Sequence, residues 1–441
     1  MRVTPGLIDA LTAAAQEVLR LERPADAVLA SFFRARPQLG QHDRGFIAET
    51  VYALLRRKRL VELAVQETGI APPDARTLAL AAAARVRGIN VRELAGALRS
   101  GEAEWLEAVK GAARGPLALG VGTDLPDWLV ARLLPVLGEG ELVRLAAALN
   151  QPAPLDLRVN TLKAERVRVA AQLAEEGIAA TPTPYSPTGL RLKGKPALNR
   201  HPLFTAGAIE VQDEGSQLVC HLLAPRRGEM VVDFCAGAGG KSLALGALMR
   251  STGRIYAFDV SEKRLAQLRP RLARSGLSNV HPHKIAGERD PRARRLAGKI
   301  DRVLVDAPCT GIGTLRRNPD LKWRQSEAAL AELAAKQAAI LRAAAGLVKP
   351  GGRLLYVTCS ILAEENDAIV ADFLANHAEF AVRSAASALA TSRISLPDGA
   401  AGAPADAFLR LRPDVHGTDA FFGALLERAS AAAGTGSRDE Q

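Results

Sequence analysis

Apolar residues recur at three- and four-residue spacing through 7–21, 25–33 and 46–65, with polar residues between them, which predicts amphipathic helices. Turn signals at Pro72-Pro73, Gly88, Gly101 and Gly115-Pro116 separate such segments, and no alternating run interrupts them. Residues 1–125 therefore read as an all-helical domain. From 126 to 225 the pattern mixes: 154–160 alternates like a strand, 163–176 is helical and 189–192 returns to alternation, as in a small α+β module.

Beyond residue 226 the period changes again. Strand-like runs at 231–234, 254–260, 280–285, 302–307 and 353–358 are separated by helical stretches at 242–250, 262–275 and 327–348. This βα rhythm predicts a parallel sheet in an α/β, Rossmann-like domain over 226–430. The runs 407–411 and 421–426 predict a closing antiparallel hairpin. The Ala/Ser/Gly/Pro-rich interval 384–405 reads as a loop and 431–441 as a disordered tail.

Composition narrows the setting. The 441 residues, 48% hydrophobic, are enough for two or three domains with substantial cores. No apolar run approaches the roughly 20 residues of a bilayer span, and the N-terminus lacks a signal-like apolar core, so a cytoplasmic protein is expected. Cys220, Cys235, Cys309 and Cys359 are widely spaced and form no C-x-x-C pair, which favours neither a disulfide framework nor a zinc site. His281 and His283 alternate in a basic run without matching Cys or carboxylate ligands, so no metal is expected.

The formal charge of +11 is unevenly spread. Residues 250–302 hold 14 Lys/Arg against 5 Asp/Glu, whereas residues 1–125 hold 17 against 14. A polyanion at the face formed by 250–302 is the partner such a distribution suits. The cluster Arg56-Arg57-Lys58-Arg59 admits two readings, phosphate contact or a solvated helix face.

The chemistry concentrates at predicted strand ends, where open α/β sheets bind ligands. The run 231–234 leads into Cys235-Ala236-Gly237-Ala238-Gly239-Gly240-Lys241 and then a helix. Glycines there permit close backbone approach, and helix-start amides attract polar groups. Cys235 stands where a Walker A loop needs glycine, and Ser242 where the dinucleotide fingerprint needs one, so both of those templates fail. Asp259, about 20 residues on, suits a ribose acceptor. The next informative ends are Asp306-Ala307-Pro308-Cys309 and Thr358-Cys359-Ser360. If these strands are neighbours, their ends lie about 5 Å apart and both thiols would face one pocket. A thiolate can add to carbon 6 of cytosine, making carbon 5 nucleophilic toward a methyl donor, and a second thiol or carboxylate would help release the product.

These motifs resemble the RsmB/NOP family of RNA cytosine-carbon-5 methyltransferases, in particular its bacterial branch acting on 16S ribosomal RNA. The resemblance implies a class I methyltransferase domain using S-adenosyl-L-methionine, held by Cys235 to Lys241 and by Asp259. It further implies that Cys359 bonds to cytosine, that Cys309 assists release and that Asp306 lies between cofactor and base. The acid expected near the adenine is assigned to Glu288. Leu157-Arg158-Val159-Asn160 and Gln212 to Gln217 resemble the family's linker module, and His416 to Phe422 its terminal hairpin. Residues 1–125 resemble a domain related to the antitermination factor NusB. The stretch Leu315 to Trp323 also matches and would set positive charge and an aromatic ring near RNA. A monomer bound to 16S rRNA is expected. The alternatives are a relative acting on another RNA, a DNA cytosine methyltransferase in which Cys309 attacks, and a non-catalytic RNA-binding ribosome-assembly protein.

Overall fold

The computed structural model describes residues 3–397 and 407–430. The expected tail at 431–441 lies outside them, as does the interval 398–405 of the expected loop. The described chain forms two compact units, residues 3–152 with 314–329, and residues 153–313 with 330–397 and 407–430.

The first unit is helical. Its opening helix, Pro5–Leu19, is started by Thr4, whose hydroxyl accepts from Leu7 N, and by Pro5 in the first turn. Leu7, Ile8, Leu11, Ala14, Ala15 and Val18 then fall on one buried face. The apolar period over 46–65 does not give one helix. Helices Gln41–Arg56 and Lys58–Gln66 meet at Arg57, whose φ/ψ of −119°/33° breaks the first helix. The unit also runs past residue 125: helix Asp127–Leu149 belongs to it, kinked at Gly138, where the backbone is non-helical, three residues after Pro135. The first strand of the α+β region begins at Leu155.

The stretch expected to offer charge and an aromatic ring to RNA is instead part of this helical core. Lys322 is fully buried, donating to Arg56 O at 2.9 Å and Asn150 Oδ1 at 2.8 Å. Trp323 donates to Leu55 O at 2.7 Å and packs on the apolar core. Helix ends leave carbonyls unpaired, and here a lysine and an indole satisfy those of the helix ending at Arg56. The neighbouring basic cluster is likewise engaged: Arg56 donates to Arg316 O, Arg57 pairs with Asp124, and Arg59 pairs with Asp127.

Burial pulls the Lys322 ammonium down to about 7, with the nearby Asp124 charge opposing. The unfolded chain thus binds the lysine proton more strongly than the folded one between pH 7 and about 10.4. Stability of this unit is expected to rise with pH over that window, by up to about 1.4 kcal/mol per pH unit. Hydrogen exchange of helix Gln41–Arg56 measures it, and Lys322→Met should flatten the slope.

The second unit holds two sheets. Strands β1 (Leu155–Val159), β2 (Ala180–Pro182), β3 (Gly189–Leu192) and β4 (Ile209–Val211) form an antiparallel sheet in the order β2-β3-β1-β4, packed on helix Arg166–Glu175 through Val169 and Leu173.

The larger sheet contains β5 (Met230–Asp233), β6 (Arg254–Asp259), β7 (Val280–Lys284), β8 (Ile300–Asp306), β9 (Val348–Thr358), β10 (Phe380–Val382), β11 (Leu409–Leu411) and β12 (Phe421–Arg428). Its order is β10-β12-β9-β8-β5-β6-β7, with β11 also on β12. Strands β5 to β9 are mutually parallel, and β12 is antiparallel to β9, β10 and β11. Helix 262–275 falls where the period places it, as Glu262–Ser275. Helix Glu327–Ala345 stops before the expected 348, because Val348 to Gly352 join β9. The interval read as a loop contains a short helix, Ala385–Ala390, capped by Ser384. Apolar clusters cover both sheet faces, one around Leu243, Leu245 and Leu268, the other around Phe258, Tyr356 and Phe373. The chain order reverses between β5 and its neighbours β6 and β8, so the crevice beyond these C-terminal strand ends is where a ligand belongs.

Candidate active site

Strand β5 runs into the glycine loop, and helix Gly240–Leu248 leaves it. Gly237 and Gly239 have φ of +56° and +80°. A Cβ on Gly239 would meet Leu268 Cδ1 at 2.0 Å, whereas one on Gly237 would meet nothing within 4 Å. The loop thus has a packed side and an open side. Gly239→Ala is expected to lower stability by about 1–3 kcal/mol in denaturant unfolding, through both the backbone strain and the clash.

Asp259, at the end of β6, ties the loop to the next helix. Its Oδ2 accepts from Gly237 N at 2.8 Å and its Oδ1 from Ser261 N at 2.7 Å. Ala236 N donates to Phe258 O, and Arg271 holds Ala238 O at 2.7 Å while also pairing with Glu210. Sequence reasoning passed over Arg271 and Glu210, since nothing in their spacing ties a mid-helix arginine to the loop. Beneath the loop, fully buried Asp233 accepts from Ser242 Oγ at 2.6 Å, and burial pushes its carboxyl up to about 7.

Lys241 reaches from the loop to Asp306 at the end of β8, with Nζ 2.6 Å from Oδ2. Burial works against the Lys241 charge, but Asp306 outweighs it and raises its proton affinity. Asp306 keeps 30% side-chain exposure and so faces the open crevice.

Strands β8 and β9 are neighbours in parallel register, Asp306 opposite Val357. The loop after β8 and the end of β9 bring Cys309 Sγ to 3.3 Å from Cys359 Sγ. The hydrogen bond to Cys359 comes first among the causes that push the Cys309 thiol up, followed by burial. Either sulfur can donate to the other across this contact. The Cys359 carbonyl accepts from Gly313 N at 2.9 Å, and a Cβ on Gly313 would meet that carbonyl at 2.8 Å and Ala420 O at 2.6 Å.

Cys235 and Cys220 stand apart from this pair. Burial raises both thiols, Cys220 to about 12, so neither is set up as a nucleophile. Glu288 lies partly exposed in the turn after β7. Asp290 beside it accepts from Ala286 N and Arg292 N, both at 2.8 Å, and so caps the short helix Pro291–Arg294.

An open-sided glycine loop, an acid at each of two flanking strand ends and a thiol pair thus meet at one end of the larger sheet. Residues 220–427 match the family model for 16S rRNA methyltransferase RsmB/F, and residues 125–199 match the ferredoxin-like domain model of RsmF/B-like methyltransferases. A probable ribosomal RNA small subunit methyltransferase B from Synechocystis is 33% identical over 94% of this chain and 97% of its own length. The chain belongs to the RsmB/F family. Another relative, the ribosomal RNA small subunit methyltransferase B of Sodalis glossinidius, is 38% identical over 62% of each chain. A methyltransferase homologue from Pyrococcus horikoshii has a solved structure with a TM-score of 0.61 and 29% identity, covering 70% of this chain and 97% of that one. The fold of the larger sheet is accordingly that of a class I, Rossmann-like RsmB/F methyltransferase, and the ferredoxin-like match spans β1 to β3 of the small sheet.

Sequence reasoning within this family frame missed Glu365. It lies in a short 3-10 turn after β9, is fully buried, and takes hydrogen bonds from Thr310. An acidic pair in an otherwise apolar segment, Leu362-Ala363-Glu364-Glu365, was the available signal.

Proposed function

We propose that this RsmB/F member methylates carbon 5 of a cytosine in 16S ribosomal RNA, with S-adenosyl-L-methionine as donor and a covalent bond between Cys359 and the base. The observation that carries the reading is the thiol pair, 3.3 Å apart at neighbouring strand ends beside the glycine loop. Ordinary carbon-methylating sites need one base; a ring that must be attacked, methylated and released benefits from two thiols.

The loop Cys235 to Lys241 fits the cofactor, since its open side at Gly237 leaves room for close backbone approach. Asp259, Asp306 and Glu288 are the acids assigned to it. When bound, S-adenosyl-L-methionine supplies an electrophilic methyl group. The chain's own residues do the rest. Cys359, as its thiolate, bonds through sulfur to carbon 6 of cytosine, and the electron pair of the 5,6 double bond moves toward carbon 5, which then takes the methyl group. A base removes the carbon-5 proton, the pair re-forms the 5,6 double bond, and the sulfur–carbon bond breaks. Cys309 assists that release. Lys241 holds the Asp306 carboxylate between loop and base.

The target base must leave its stack to be reached, and the basic surface of 250–302 is suited to holding the strand, with the helical unit as a NusB-like RNA-binding domain. Incubating the protein with methyl-labelled cofactor and 16S rRNA, followed by nucleoside analysis, tests the reading. Label in 5-methylcytosine at one position is expected. Label in another nucleoside, or none, contradicts it.

A further inference from the structure

The thiol pair is chemically symmetric on paper, yet its two members sit in different surroundings. The loop that carries Cys309 is clamped from below by one carboxylate. Glu365 Oε1 accepts from Thr310 N at 2.8 Å and from Gln337 Nε2 at 2.9 Å, and Oε2 accepts from Thr310 Oγ1 at 2.5 Å. Gln337 Nε2 also donates to Pro308 O at 2.9 Å, so the residues on both sides of Cys309 are held. The Tyr356 hydroxyl fixes the Glu365 backbone by donating to its carbonyl at 2.6 Å. Glu365, Gln337, Thr310 and Tyr356 are each fully buried.

The Thr310 and Gln337 N–H groups can only donate to the Glu365 carboxyl group, and the Thr310 hydroxyl is placed to donate as well, so both oxygens act as acceptors. Among the described residues no ion pair involves Glu365. A buried charge without a counter-ion is costly unless its hydrogen bonds are complete; these donors engage both oxygens, and a neutral glutamine would turn an NH2 group toward one of them. The position of the charge, one residue from Cys309, supplies a reason to keep it.

We propose that Glu365 is a positioning residue that divides the work between the thiols: by gripping Thr310 with both oxygens it locks Cys309 against Cys359 and keeps the proton on Cys309. This deepens the function proposed above, because it makes Cys359 the free nucleophile and Cys309 the proton carrier. The ionisable groups facing Cys309 are Cys359 at the end of β9, Glu365 from the following turn and Tyr356 within β9. The Glu365 charge and the Cys359 contact both favour the protonated Cys309 thiol. Lys241, from the glycine-loop helix, attracts the Cys359 sulfur.

The test uses resting full-length protein without RNA or cofactor, so it stands whether or not methyl transfer is observed. Initial rates of iodoacetamide labelling at Cys309 and Cys359 are mapped by mass spectrometry from pH 6 to 10. In the unaltered protein Cys359 is expected to label first and Cys309 only at higher pH. Glu365→Gln removes the charge and loosens the grip on Thr310, and is expected to raise the ratio of Cys309 to Cys359 labelling at pH 8. Glu365→Asp, which keeps the charge but shortens its reach, should restore part of the difference. Leu173→Ala in the core of the small sheet destabilises the same unit without touching the clamp and should leave the ratio unchanged. An unchanged labelling ratio in folded Glu365→Gln overturns the proposal. If that variant does not fold, Cys309 labelling ahead of Cys359 in the unaltered protein overturns it equally.

Discussion

Cys359→Ala is expected to abolish methyl incorporation into 16S rRNA, by roughly 10⁴-fold or more, equivalent to at least about 5.5 kcal/mol of barrier. The size follows from the chemistry. Carbon 5 of cytosine is a poor nucleophile, so without addition at carbon 6 the remaining site can orient the reactants but cannot activate the ring. The loss should be confined to chemistry. Cys359 directly follows β9, while the glycine loop leaves β5, and the strand β8 lies between these two strands. Cofactor affinity measured by calorimetry should therefore stay within about threefold, because the loop contacts of Gly237, Asp259 and Arg271 do not involve Cys359. A variant that keeps methyl transfer removes Cys359 from the reaction.

Cys309→Ala should produce the opposite failure. In the proposed mechanism addition and methyl transfer use Cys359 while release loses its assisting thiol, so steady-state turnover should fall about 10²- to 10⁴-fold, the range of general acid–base contributions. The enzyme should then accumulate as a protein–RNA adduct that survives denaturing gel electrophoresis. The double variant Cys309→Ala/Cys359→Ala should form none, because the bond needs Cys359. Absence of adduct in the single variant, with turnover intact, contradicts a release role for Cys309.

How much of this was legible in the chain depends on the range of the interaction involved. The βα rhythm and the glycine loop are local, set by residue period and by a few glycines, and the structure places β5 to β9 within a few residues of expectation. The nearness of Cys309 and Cys359 was inferable only on the premise that their strands are neighbours, which the pairing of β8 with β9 supplies. The short strand β10 and the kinked helix Asp127–Leu149 carry weak periodic signals, three residues in one case and an interrupted period in the other.

The larger departures come from polar residues whose partners are distant in sequence. Lys322 and Trp323 have the composition of an RNA-contacting segment, yet they satisfy carbonyls of Arg56 and Leu55 more than 260 positions earlier. Composition records that a side chain can donate, not which acceptor awaits it. Glu365 shows the same limit from the acceptor side: its three donors come from Thr310 and Gln337. Arg271, joined to Ala238 and Glu210, links a basic helix to the glycine loop, so part of the positive charge in 250–302 serves structure rather than a partner.

The central claim is that Cys359 attacks the base while Cys309 holds its proton. Trapping on an RNA carrying 5-fluorocytosine tests it most directly, because fluorine at carbon 5 blocks release after methyl transfer. Digesting the trapped complex and mapping the modified peptide should find the nucleotide on Cys359. Nucleotide on Cys309 would reverse the two roles and contradict the account.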